Sequence, residues 1–544
     1  MGLRFVAKDE SLTPLRWSAL LPRAAAVAGG LRADGVRPGD TVALIFPTSP
    51  AFFHAFFGVL LAGGIPVPLY PPVRLGRLDE YHARTEAMLR AARVGLVLTE
   101  DRVWRILGET VARAGVRCRV VDTVDGPPLV HAAAPDDLAL VQFSSGTTVD
   151  PKPVALSHAN ILANVRAILA WMFGATGGFN EEGVSWLPLY HDMGLIGGVC
   201  PALFRPGTLT LIPPELFIAR PAVWLRTLSR TGAAISPAPN FAYALCADRI
   251  RDAELDGVDL SAWRFALNGA EPVAPETLRR FVARFARWGF RPEALTPVYG
   301  LAEASLAVTF SPADDPFYTA RFDRDALGAG RVVPHPDGVE LVSVGVPLDE
   351  VRVEAAADVV GPIRVQGPSV MTGYLFQPER TAAAISDGWL DTGDLGFRHE
   401  GRLYVTGRVK DLLILRGRNH APHEVEQAVD PVDGVRTGCA AAVSYRPEGA
   451  EEEQLVVFVE VRPDAPSDVS AACQRAVLAA TGLSPSAIVP LAPGTLPRTS
   501  SGKIRRAEAL ARWLRGELTP PERVTPWLLA GALFKGTLAH WRAS

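Results

Sequence analysis

The chain has 544 residues, of which 48% are hydrophobic and 21% charged, and its formal net charge is −3. This length is too great for one ordinary core and predicts two or more domains. The composition is that of a globular protein without a strong basic excess, which excludes a general nucleic-acid binder. The five cysteines are scattered and form no C-x-x-C pair, which favours a reducing, cytoplasmic compartment and no structural zinc.

Strand-like and helix-like segments alternate through the first three quarters of the chain. Residues 41–46 (TVALIF), 95–98 and 208–212 are apolar runs typical of buried strands, and residues 49–62 follow the first run as a helix. This alternation predicts α/β units in which helices cover parallel strands. Residues 51–70 are apolar enough to suggest a membrane span, but glycines and prolines interrupt them. A buried helix followed by a strand is predicted there instead, with no membrane span.

The pattern changes towards the C terminus. Residues 340–366 contain short strand-like runs, which predict a small β subdomain. Beyond residues 406–408 a new series of apolar and helical segments begins, with residues 455–461 (LVVFVEV) as a strong strand. These segments predict a second, smaller domain. Residues 527–541 have the pattern of an amphipathic helix that packs on the body of the protein.

Residues 142–154 (QFSSGTTVDPKPV) combine small hydroxyl residues, a glycine and a Pro-Lys pair. A turn of this composition offers backbone N–H and hydroxyl donors to a phosphate chain. It is not the usual nucleotide P-loop, because the spacing G-x-x-x-x-G-K-[ST] is absent. On composition alone, a surface loop rich in Ser and Thr is an equal alternative.

Further segments carry residue types suited to a nucleotide site. They are WLPLYHDMG at residues 186–194, NGAEP at 268–272, YGLAE at 299–303 and DTGDLG at 391–396. An aromatic ring beside a glycine can stack on a base, and a nearby carboxylate can hold Mg²⁺ bound to phosphates. Lys503, which follows a flexible Ser-Ser-Gly, can meet a developing negative charge. Taken singly, each segment has an ordinary structural explanation.

The order of the motifs is more specific than any one of them. The series SSGTT, YGLAE, DTGDLG, GRVKD and SSGKIRR closely resembles the superfamily of adenylate-forming enzymes over nearly the whole chain. The resemblance implies an α/β fold with an N-terminal adenylation domain at residues 1–408, built of parallel-sheet α/β subdomains and a small β subdomain. It also implies a smaller, mobile α+β lid at residues 409–544, a hinge near Lys410, and ATP and Mg²⁺ as cofactors.

The resemblance also implies a role for each matching residue. The phosphate loop would comprise Ser144, Ser145, Gly146, Thr147, Thr148 and Lys152. The adenine site would comprise Gly269, Ala270, Glu271, Tyr299, Gly300, Leu301 and Ala302, with the tyrosine stacked on the base. Asp394 and Arg408 would hold the ribose. The catalytic residues would be Lys503, the Mg²⁺ ligand Glu303, and His191 beside the reacting carboxylate, and the acyl chain would contact Pro239, Asn240, Phe241 and Tyr243.

A narrower resemblance, to fatty acyl-AMP ligases, is carried by IPVPLYPP at residues 65–72, PNFAY at 239–243, NGAEPV at 268–273 and GRVKDLLILRGRNHAPHEVE at 407–426. It implies a fatty acid as the substrate and the phosphopantetheine thiol of an acyl-carrier protein as the acceptor. The basic residues Arg498, Arg505, Arg506, Arg512 and Arg515 would suit an acidic carrier protein, although a solvated helix face is the simpler explanation.

The sequence departs from the family pattern in two places, of which the first bears on the mobility of the phosphate loop and the second keeps an alternative acceptor open. The phosphate loop reads TTVDPKP, without the glycines that usually follow the threonine pair and the lysine. Residues 381–389 are compact, as in acyl-CoA synthetases, whereas fatty acyl-AMP ligases typically carry an extra segment there. Coenzyme A is therefore the alternative acceptor. A non-catalytic acyl- or nucleotide-binding relative is a third hypothesis, which the intact Glu303, Asp394, Arg408 and Lys503 disfavour.

Overall fold

A computed structural model describes residues 1–72, 75–144, 151–174, 182–415, 418–447, 450, 452–499, 502–521 and 536. The phosphate-loop residues Ser145, Gly146, Thr147 and Thr148 lie outside these ranges, as does the helix predicted at residues 527–541 except for residue 536. Among the helices in the described ranges, none combines the length and the hydropathy that crossing a bilayer requires.

The described strands, in chain order, are β1 (Gly2–Val6), β2 (Leu12–Arg16), β3 (Thr41–Ile45), β4 (Ile65–Leu69), β5 (Leu96–Thr99), β6 (Arg117–Val120), β7 (Leu138–Phe143), β8 (Pro153–Ser157), β9 (Gly183–Ser185), β10 (Thr208–Leu211), β11 (Ile235–Ala238), β12 (Phe265–Asn268), β13 (Leu295–Gly300), β14 (Ala307–Phe310), β15 (Thr319–Phe322), β16 (Val339–Val342), β17 (Val346–Pro347), β18 (Arg352–Glu354), β19 (Gly361–Gln366), β20 (Gly373–Tyr374), β21 (Ile385–Ser386), β22 (Trp389–His399), β23 (Arg402–Arg408), β24 (Leu413–Leu415), β25 (Arg418–His420), β26 (Val435–Tyr445), β27 (Gln454–Val461) and β28 (Ala487–Leu491).

The described α-helices are α1 (Trp17–Ala33), α2 (Pro50–Leu61), α3 (Leu78–Ala91), α4 (Asp101–Ala114), α5 (His158–Gly174), α6 (Asp192–Gly194), α7 (Cys200–Phe204), α8 (Pro214–Ala219), α9 (Ala222–Thr231), α10 (Asn240–Arg249), α11 (Pro275–Phe285), α12 (Arg324–Gly328), α13 (Pro378–Ala384), α14 (Pro422–Val429), α15 (Val469–Thr481) and α16 (Arg506–Leu514). A π-helical segment, Leu195–Val199, joins α6 to α7, and a 3₁₀ turn, Val409–Asp411, follows β23.

The sheets before residue 409 explain where a ligand site can form. The largest sheet has the order β17-β14-β13-β12-β11-β9-β10-β1-β2, and its strands from β13 to β1 run parallel. A second, fully parallel sheet has the order β4-β3-β5-β6. Antiparallel pairing joins β18, β19, β22, β21 and β23. The carboxyl ends of parallel strands in such sheets are the usual place for ligand sites.

The predicted α/β fold class is confirmed, and so are many individual elements. The strand expected at residues 41–46 is β3, and the apolar segment 51–70 is the buried helix α2 followed by β4. The short runs at residues 340–366 are β16, β18 and β19. The N-terminal hairpin of β1 and β2 was not predicted. Its first strand joins the largest sheet by pairing in parallel with β10.

The chain beyond β23 has its own packing. In the predicted lid, β26 and β27 pair antiparallel, and β28 adds to β27 in parallel. Two apolar clusters there draw their buried residues from positions 413–509, including Val425, Val457, Phe458 and Val477. The strong strand predicted at residues 455–461 is β27, and the helix α15 follows it. This packing agrees with a separate domain, although the boundary between residues 408 and 409 remains a prediction.

Candidate active site

A cavity of about 2020 Å³ lies where the lid meets the N-terminal part of the chain. Its lining includes the ends of β12 and β13, the β22–β23 hairpin, the start of α10 and the loop before α16. Among the residues that the structure describes, every predicted site residue lines this cavity except Gly269 and Tyr243. The motifs are scattered along the chain, and the fold brings them to one place.

Asp394 and Arg408, which were predicted to hold the ribose, form a hydrogen-bond network with Tyr299 at one side of the cavity. Strands β22 and β23 place Asp394 opposite Arg408 in their register. The Tyr299 hydroxyl donates to Asp394 Oδ2 at 2.8 Å, and Arg408 Nε donates to Asp394 Oδ1 at 2.8 Å. Asp394 is 5% exposed, and a buried carboxylate with both oxygens bound is held in one orientation. Burial, with Asp394 beside it, raises the pKa of Tyr299, so this hydroxyl remains a donor.

Glu303 lies at the opposite end of the YGLAE motif from Tyr299. The Tyr374 hydroxyl donates to Glu303 Oε1 at 3.0 Å, and the Lys152 ammonium lies 5.2 Å from the centre of the Tyr374 ring. Burial lowers the pKa of Lys152, while the Glu303 charge opposes that effect. Ser144, at the other end of the predicted phosphate loop, donates its backbone N–H to the Lys152 carbonyl at 3.2 Å. The loop's two ends are therefore joined beside a carboxylate.

The NGAEP motif forms a tight turn after β12. Gly269 packs on β13, where a Cβ atom would lie 2.7 Å from Val298 Cγ2 and 2.8 Å from the Val298 carbonyl oxygen. Ala270 has φ 68°, a left-handed conformation that is uncommon for a residue with a side chain. Gly269 thus lies behind the lining, whereas Ala270 and Glu271 face the cavity.

Hydrogen bonds join two of the segments that resemble fatty acyl-AMP ligases, NGAEPV and PNFAY. Glu271 Oε1 accepts a hydrogen bond from the Phe241 backbone N–H at 2.6 Å, in the first turn of α10. In return, Asn240 Oδ1 accepts from the Ala274 backbone N–H at 3.2 Å. A carboxylate at the N-terminal end of a helix also interacts favourably with its dipole. The start of α10 is therefore fixed against the turn that carries Ala270.

Tyr243 corrects one sequence prediction. Its side chain is 0% exposed and packs against Trp224, Trp263 and Phe281, with ring centroids 5.7, 6.5 and 5.0 Å away. It therefore belongs to the aromatic core behind α10 and does not contact the cavity. Along α10 it lies two positions beyond Phe241, and at 3.6 residues per turn that spacing places the two side chains on different faces.

His191 and its neighbour Asp192 face the cavity together. The imidazole of His191 packs edge-on to the Tyr190 ring, with centroids 4.9 Å apart. Asp192 Oδ1 accepts from the Met193 backbone N–H at 2.7 Å. Burial raises the pKa of Asp192, and Lys503 opposes that rise. The sequence analysis assigned a role to the histidine and none to the aspartate, although both stand in the same motif.

Lys503 reaches the cavity from the lid on a short turn. The Thr499 backbone N–H donates to the Lys503 carbonyl at 2.8 Å, and the Lys503 backbone N–H donates to Thr499 Oγ1 at 3.0 Å. Arg498 and Ile504 form an isolated β-bridge beside this turn. Burial and the Arg408 charge lower the pKa of Lys503, whereas Asp192, Glu271 and Asp394 raise it. Lys503 therefore lines the same cavity as Arg408 and Asp394.

The lid arginines do not form the basic face considered in the sequence analysis. Arg506 makes a bidentate ion pair with Glu426, at 2.6 Å for each hydrogen bond. Arg498 donates to the Gly438 and Gly502 carbonyls, and Arg505 is 4% exposed. Arg512 pairs with Glu80 of α3 at 3.1 Å, which joins the lid to the N-terminal part. Arg515 pairs with Glu517 at 2.7 Å. A solvated face therefore does not describe Arg498, Arg505 and Arg506, whereas the exposed Arg515 fits it. Binding of a carrier protein by these arginines stays a prediction.

Comparison with known proteins agrees with this geometry. The family described as AMP-binding enzyme matches residues 5–375. The chain belongs to this family. It is 36% identical to the long-chain-fatty-acid–AMP ligase FadD23 of Mycobacterium tuberculosis over 94% of this chain and 92% of that protein. It is also 36% identical, with the same two coverages, to a Caulobacter vibrioides protein that bears the name of an acyl-CoA synthetase.

A solved structure from work on fatty acyl-adenylate ligases of E. coli and L. pneumophila is similar to this AMP-binding enzyme throughout. The TM-score is 0.88, the identity is 32%, and the likeness covers 95% of each chain. The narrower resemblance to fatty acyl-AMP ligases is thus confirmed. The chain is an adenylate-forming ligase that uses ATP to convert a carboxylic acid into an acyl-adenylate.

Proposed function

We propose that this enzyme activates a fatty acid and transfers the acyl group to the phosphopantetheine thiol of an acyl-carrier protein. The observation that carries the proposal is the convergence in one cavity of the Tyr299–Asp394–Arg408 network, Glu303 and Lys503. Acid activation needs a nucleotide held in place, charge stabilisation at the α-phosphorus and a reacting carboxylate beside it. Each of these needs has a candidate side chain in the cavity.

In the first half-reaction a carboxylate oxygen of the acid attacks the α-phosphorus of ATP, and pyrophosphate leaves. Asp394 and Arg408 hold the ribose, and Ala270 and Tyr299 lie at the adenine. Lys503 donates to the oxygens of the carboxylate and the α-phosphate, where negative charge is concentrated as the bond forms. His191 orients the carboxylate from the opposite wall. No covalent intermediate with the enzyme is required.

Glu303 is the proposed Mg²⁺ ligand. In nucleotide sites this ion is usually held by one or two carboxylates together with phosphates and water, so a single acidic side chain beside the phosphate loop fits it. Tyr374 leaves Glu303 Oε2 available, because its hydroxyl binds Oε1. When bound, Mg²⁺ would neutralise phosphate charge. Lys152 adds a second positive charge at the same place.

A fatty acid is the proposed substrate because part of the cavity lining is apolar. Trp186, Leu187, Ile218, Phe241 and Leu245 belong to this lining, and the rings of Trp186 and Phe241 are in contact with centroids 5.8 Å apart. An aliphatic chain buried there is stabilised by about 25 cal/mol per Å² of apolar surface removed from water. The fatty-acid–AMP ligase named above is consistent with this choice.

The acceptor step is proposed to follow a movement of the lid about Lys410. This residue is exposed, in the 3₁₀ turn Val409–Asp411 that follows β23. The domains are accordingly proposed as residues 1–408 and 409–544. Rotation at this turn would withdraw Lys503 and open the cavity to a thiol, and hinges of this kind consist of a few residues that absorb the backbone change.

The choice of acceptor decides between two functions. In favour of coenzyme A, residues 381–389 are compact: α13 ends at Ala384, and β21 returns to β22 through a turn at Asp387 and Gly388 with φ 51° and 76°. In favour of a carrier protein, the interlocked NGAEPV and PNFAY motifs are those of fatty acyl-AMP ligases. We give these more weight, because they come from separate segments that bind each other.

The test is a two-stage assay of the purified enzyme. ATP–pyrophosphate exchange is measured first with saturated fatty acids, amino acids and aryl acids, and fatty acids should support the fastest exchange. Acyl-AMP formed from the best acid is then offered coenzyme A or a phosphopantetheinylated carrier protein at equal concentration. Faster acylation of the carrier is expected. Efficient acyl-CoA formation with carriers ignored would establish the acyl-CoA synthetase instead, and faster exchange with amino acids would exclude a fatty acid substrate.

A further inference from the structure

The chain reaches Lys503 through a loop that two sets of contacts hold. This loop, residues 494–499, follows β28 in the lid and is called the approach loop. Glu460 Oε1 accepts a hydrogen bond from the Leu496 backbone N–H at 2.9 Å, and Glu460 Oε2 accepts one from Arg436 Nη1 at 2.6 Å. Glu460 is 1% exposed, and a buried carboxylate with both oxygens bound is held in one orientation. These residues all belong to the lid, so this first set of contacts moves with it.

The second set of contacts joins the approach loop to the N-terminal part of the chain. Arg77 ends the 3₁₀ turn that precedes α3. Its Nη2 donates to the Thr495 carbonyl at 3.1 Å and to the Gly494 carbonyl at 3.3 Å. The same nitrogen donates to the carbonyl of Thr519, which follows α16, at 3.2 Å. One guanidinium nitrogen from outside the lid is therefore in contact with three carbonyl oxygens of the lid.

The start of α3 presents charged groups to the lid at more than one point. Glu80 pairs with Arg77 at 3.4 Å and with Arg512 of the lid at 3.1 Å. Arg84, further along α3, donates to the Arg498 carbonyl in the approach loop at 3.4 Å. A charged donor makes stronger hydrogen bonds to carbonyl oxygens than a neutral donor does, and the Arg77 side chain is only 16% exposed, so water competes little for them. Arg77 is therefore the residue of this group best placed to fix the approach loop.

We infer that Arg77 is a positioning residue that holds the approach loop, and with it Lys503, in the place that acyl-adenylate formation requires. The inference rests on the proposed role of Lys503. Arg77 belongs to the N-terminal part and its carbonyl partners belong to the lid, so a movement about Lys410 would separate them. Glu460 would keep its hold on the loop during that movement. Arg77 therefore stabilises the position of the lid seen in this structure and serves the first half-reaction alone.

The first experiment compares the two half-reactions in Arg77→Ala. The single-turnover rate of acyl-adenylate formation should fall by about tenfold, the scale for losing hydrogen bonds to a charged group. Equilibrium binding of ATP should change little, because the network of Tyr299, Asp394 and Arg408 does not include Arg77. Acyl transfer from added dodecanoyl-AMP to coenzyme A or to a phosphopantetheinylated carrier should not slow, because the proposed lid movement breaks the Arg77 contacts in any case. Equal losses in all three measurements would show a merely structural role and overturn the inference.

Two further variants show whether the position and the charge of Arg77 matter. Arg90→Ala is the matched control, because Arg90 lies on α3, pairs with Glu86 at 2.8 Å and donates to the Arg113 carbonyl at 3.1 Å, all in the N-terminal part. It should leave both half-reactions unchanged. Arg77→Lys should restore most of the lost rate, because one nitrogen makes the three carbonyl contacts and an ammonium has three donors. A lysine that restores none of the rate would contradict the role assigned to this charge.

The second experiment asks whether Arg77 acts through Lys503. Residues that act as a unit give effects that do not add. In a Lys503→Ala background, Arg77→Ala should therefore lower the residual rate of adenylate formation by less than about twofold. A further loss of about tenfold in that background would show that Arg77 acts by a route that bypasses the lysine, and the positioning role would be overturned.

Hydrogen–deuterium exchange in the full chain without substrates separates this inference from the proposed function. Peptides that cover the approach loop should exchange faster in Arg77→Ala, whereas those of β26 and β27 should be unchanged and so confirm the fold. Faster exchange in a chain that activates no fatty acid would contradict the function and leave the role of Arg77 in holding the loop intact. Unchanged exchange in an enzyme that activates fatty acids normally would overturn that role alone. If Arg77→Ala does not fold, Arg77→Gln carries the same comparisons.

Discussion

The side of the cavity that contains Tyr299, Asp394 and Arg408 and the proposed lid are held by different kinds of contact. Asp394, with its hydroxyl and guanidinium partners, is built into a β-hairpin and almost fully buried. The lid is joined to the rest of the chain by contacts at partly exposed positions, such as Arg512 with Glu80 and Arg324 with Glu424. Thr437 also donates to Asp248 at 2.9 Å.

This difference has an energetic meaning. A half-exposed ion pair contributes about 0.2–1 kcal/mol, so a few of them can be exchanged without large cost. Breaking a buried network leaves polar groups without partners and costs about 1–3 kcal/mol for each group. If the lid moves as proposed, the network of Tyr299, Asp394 and Arg408 should stay formed, whereas the contacts of the lid should be exchanged easily. The predictions below would break or sharpen this contrast.

The largest effect is expected for Lys503→Ala. Acyl-adenylate formation should fall by about 10²-fold or more, the usual scale for removing one electrostatic contact from a transition state. ATP affinity should change little, because the network of Tyr299, Asp394 and Arg408 that is proposed to hold the ribose does not include Lys503. Single-turnover adenylate formation and equilibrium binding of ATP measure the two effects separately. Equal losses of adenylate formation and of ATP binding would mean that the network of Tyr299, Asp394 and Arg408 depends on the lid. Arg515→Ala, which removes a pair within the lid, serves as the control.

An intermediate effect is expected for Asp430→Asn. Burial, with Glu426 and Asp248 nearby, raises the pKa of Asp430 to about 7, and Asp248 belongs to the N-terminal part. The folded state binds this proton more tightly than the unfolded chain, so its stabilising effect is complete below about pH 4 and is lost as the pH rises towards 7. Asparagine keeps an acceptor for the Gly438 backbone N–H, which Asp430 Oδ1 binds at 3.0 Å.

The variant should therefore be more stable than wild type by about 1–2 kcal/mol at pH 8, with the difference vanishing towards pH 4. Thermal unfolding across that range measures it. Asp433→Asn, at an exposed lid carboxylate paired with Arg462, provides the matched control. If the difference in stability between Asp430→Asn and wild type is constant with pH, Asp430 does not change its protonation state in this pH range.

The smallest effect is expected for Arg512→Ala. Its pair with Glu80 spans the lid contact at partly exposed positions, so the lid should be loosened by about 0.5–1 kcal/mol, and less in high salt. Adenylate formation should fall by less than about fivefold at low salt, and the difference should shrink in 0.5 M salt. A loss as large as that of Lys503→Ala would contradict the view that these contacts are individually weak.

The sequence predicted the fold better than it predicted the partners of individual side chains. Apolar runs with glycine and proline at their ends identified β3, α2, β4 and β27, because burial and chain reversal leave a local signal. The β1–β2 hairpin was not predicted, because its two short strands, which contain Arg4 and Pro14, lack a clear alternation of apolar and polar residues. Motif order identified the cavity residues, but membership of PNFAY could not show that Tyr243 turns into the core.

The arginines show a different limit. Nothing local distinguishes Arg505, which is buried, from Arg515, which is exposed on the same stretch of chain. Their neighbours Arg506 and Arg512 pair with Glu426 and Glu80, which are distant in sequence. Residue types can be read locally, whereas charge compensation depends on tertiary contacts.

The position of β1 in the largest sheet affects the order in which the chain can fold during synthesis. β1 and β2 are adjacent in sequence and can pair as soon as both have been made, but an isolated two-stranded hairpin is marginally stable in water. Its other neighbour, β10, is made much later, after the helices and strands of the second sheet. The largest sheet therefore cannot be completed before β10 has been made, and the β1–β2 hairpin must stay available for pairing until then. Removing the first sixteen residues would instead leave β10 as an open edge and favour aggregation.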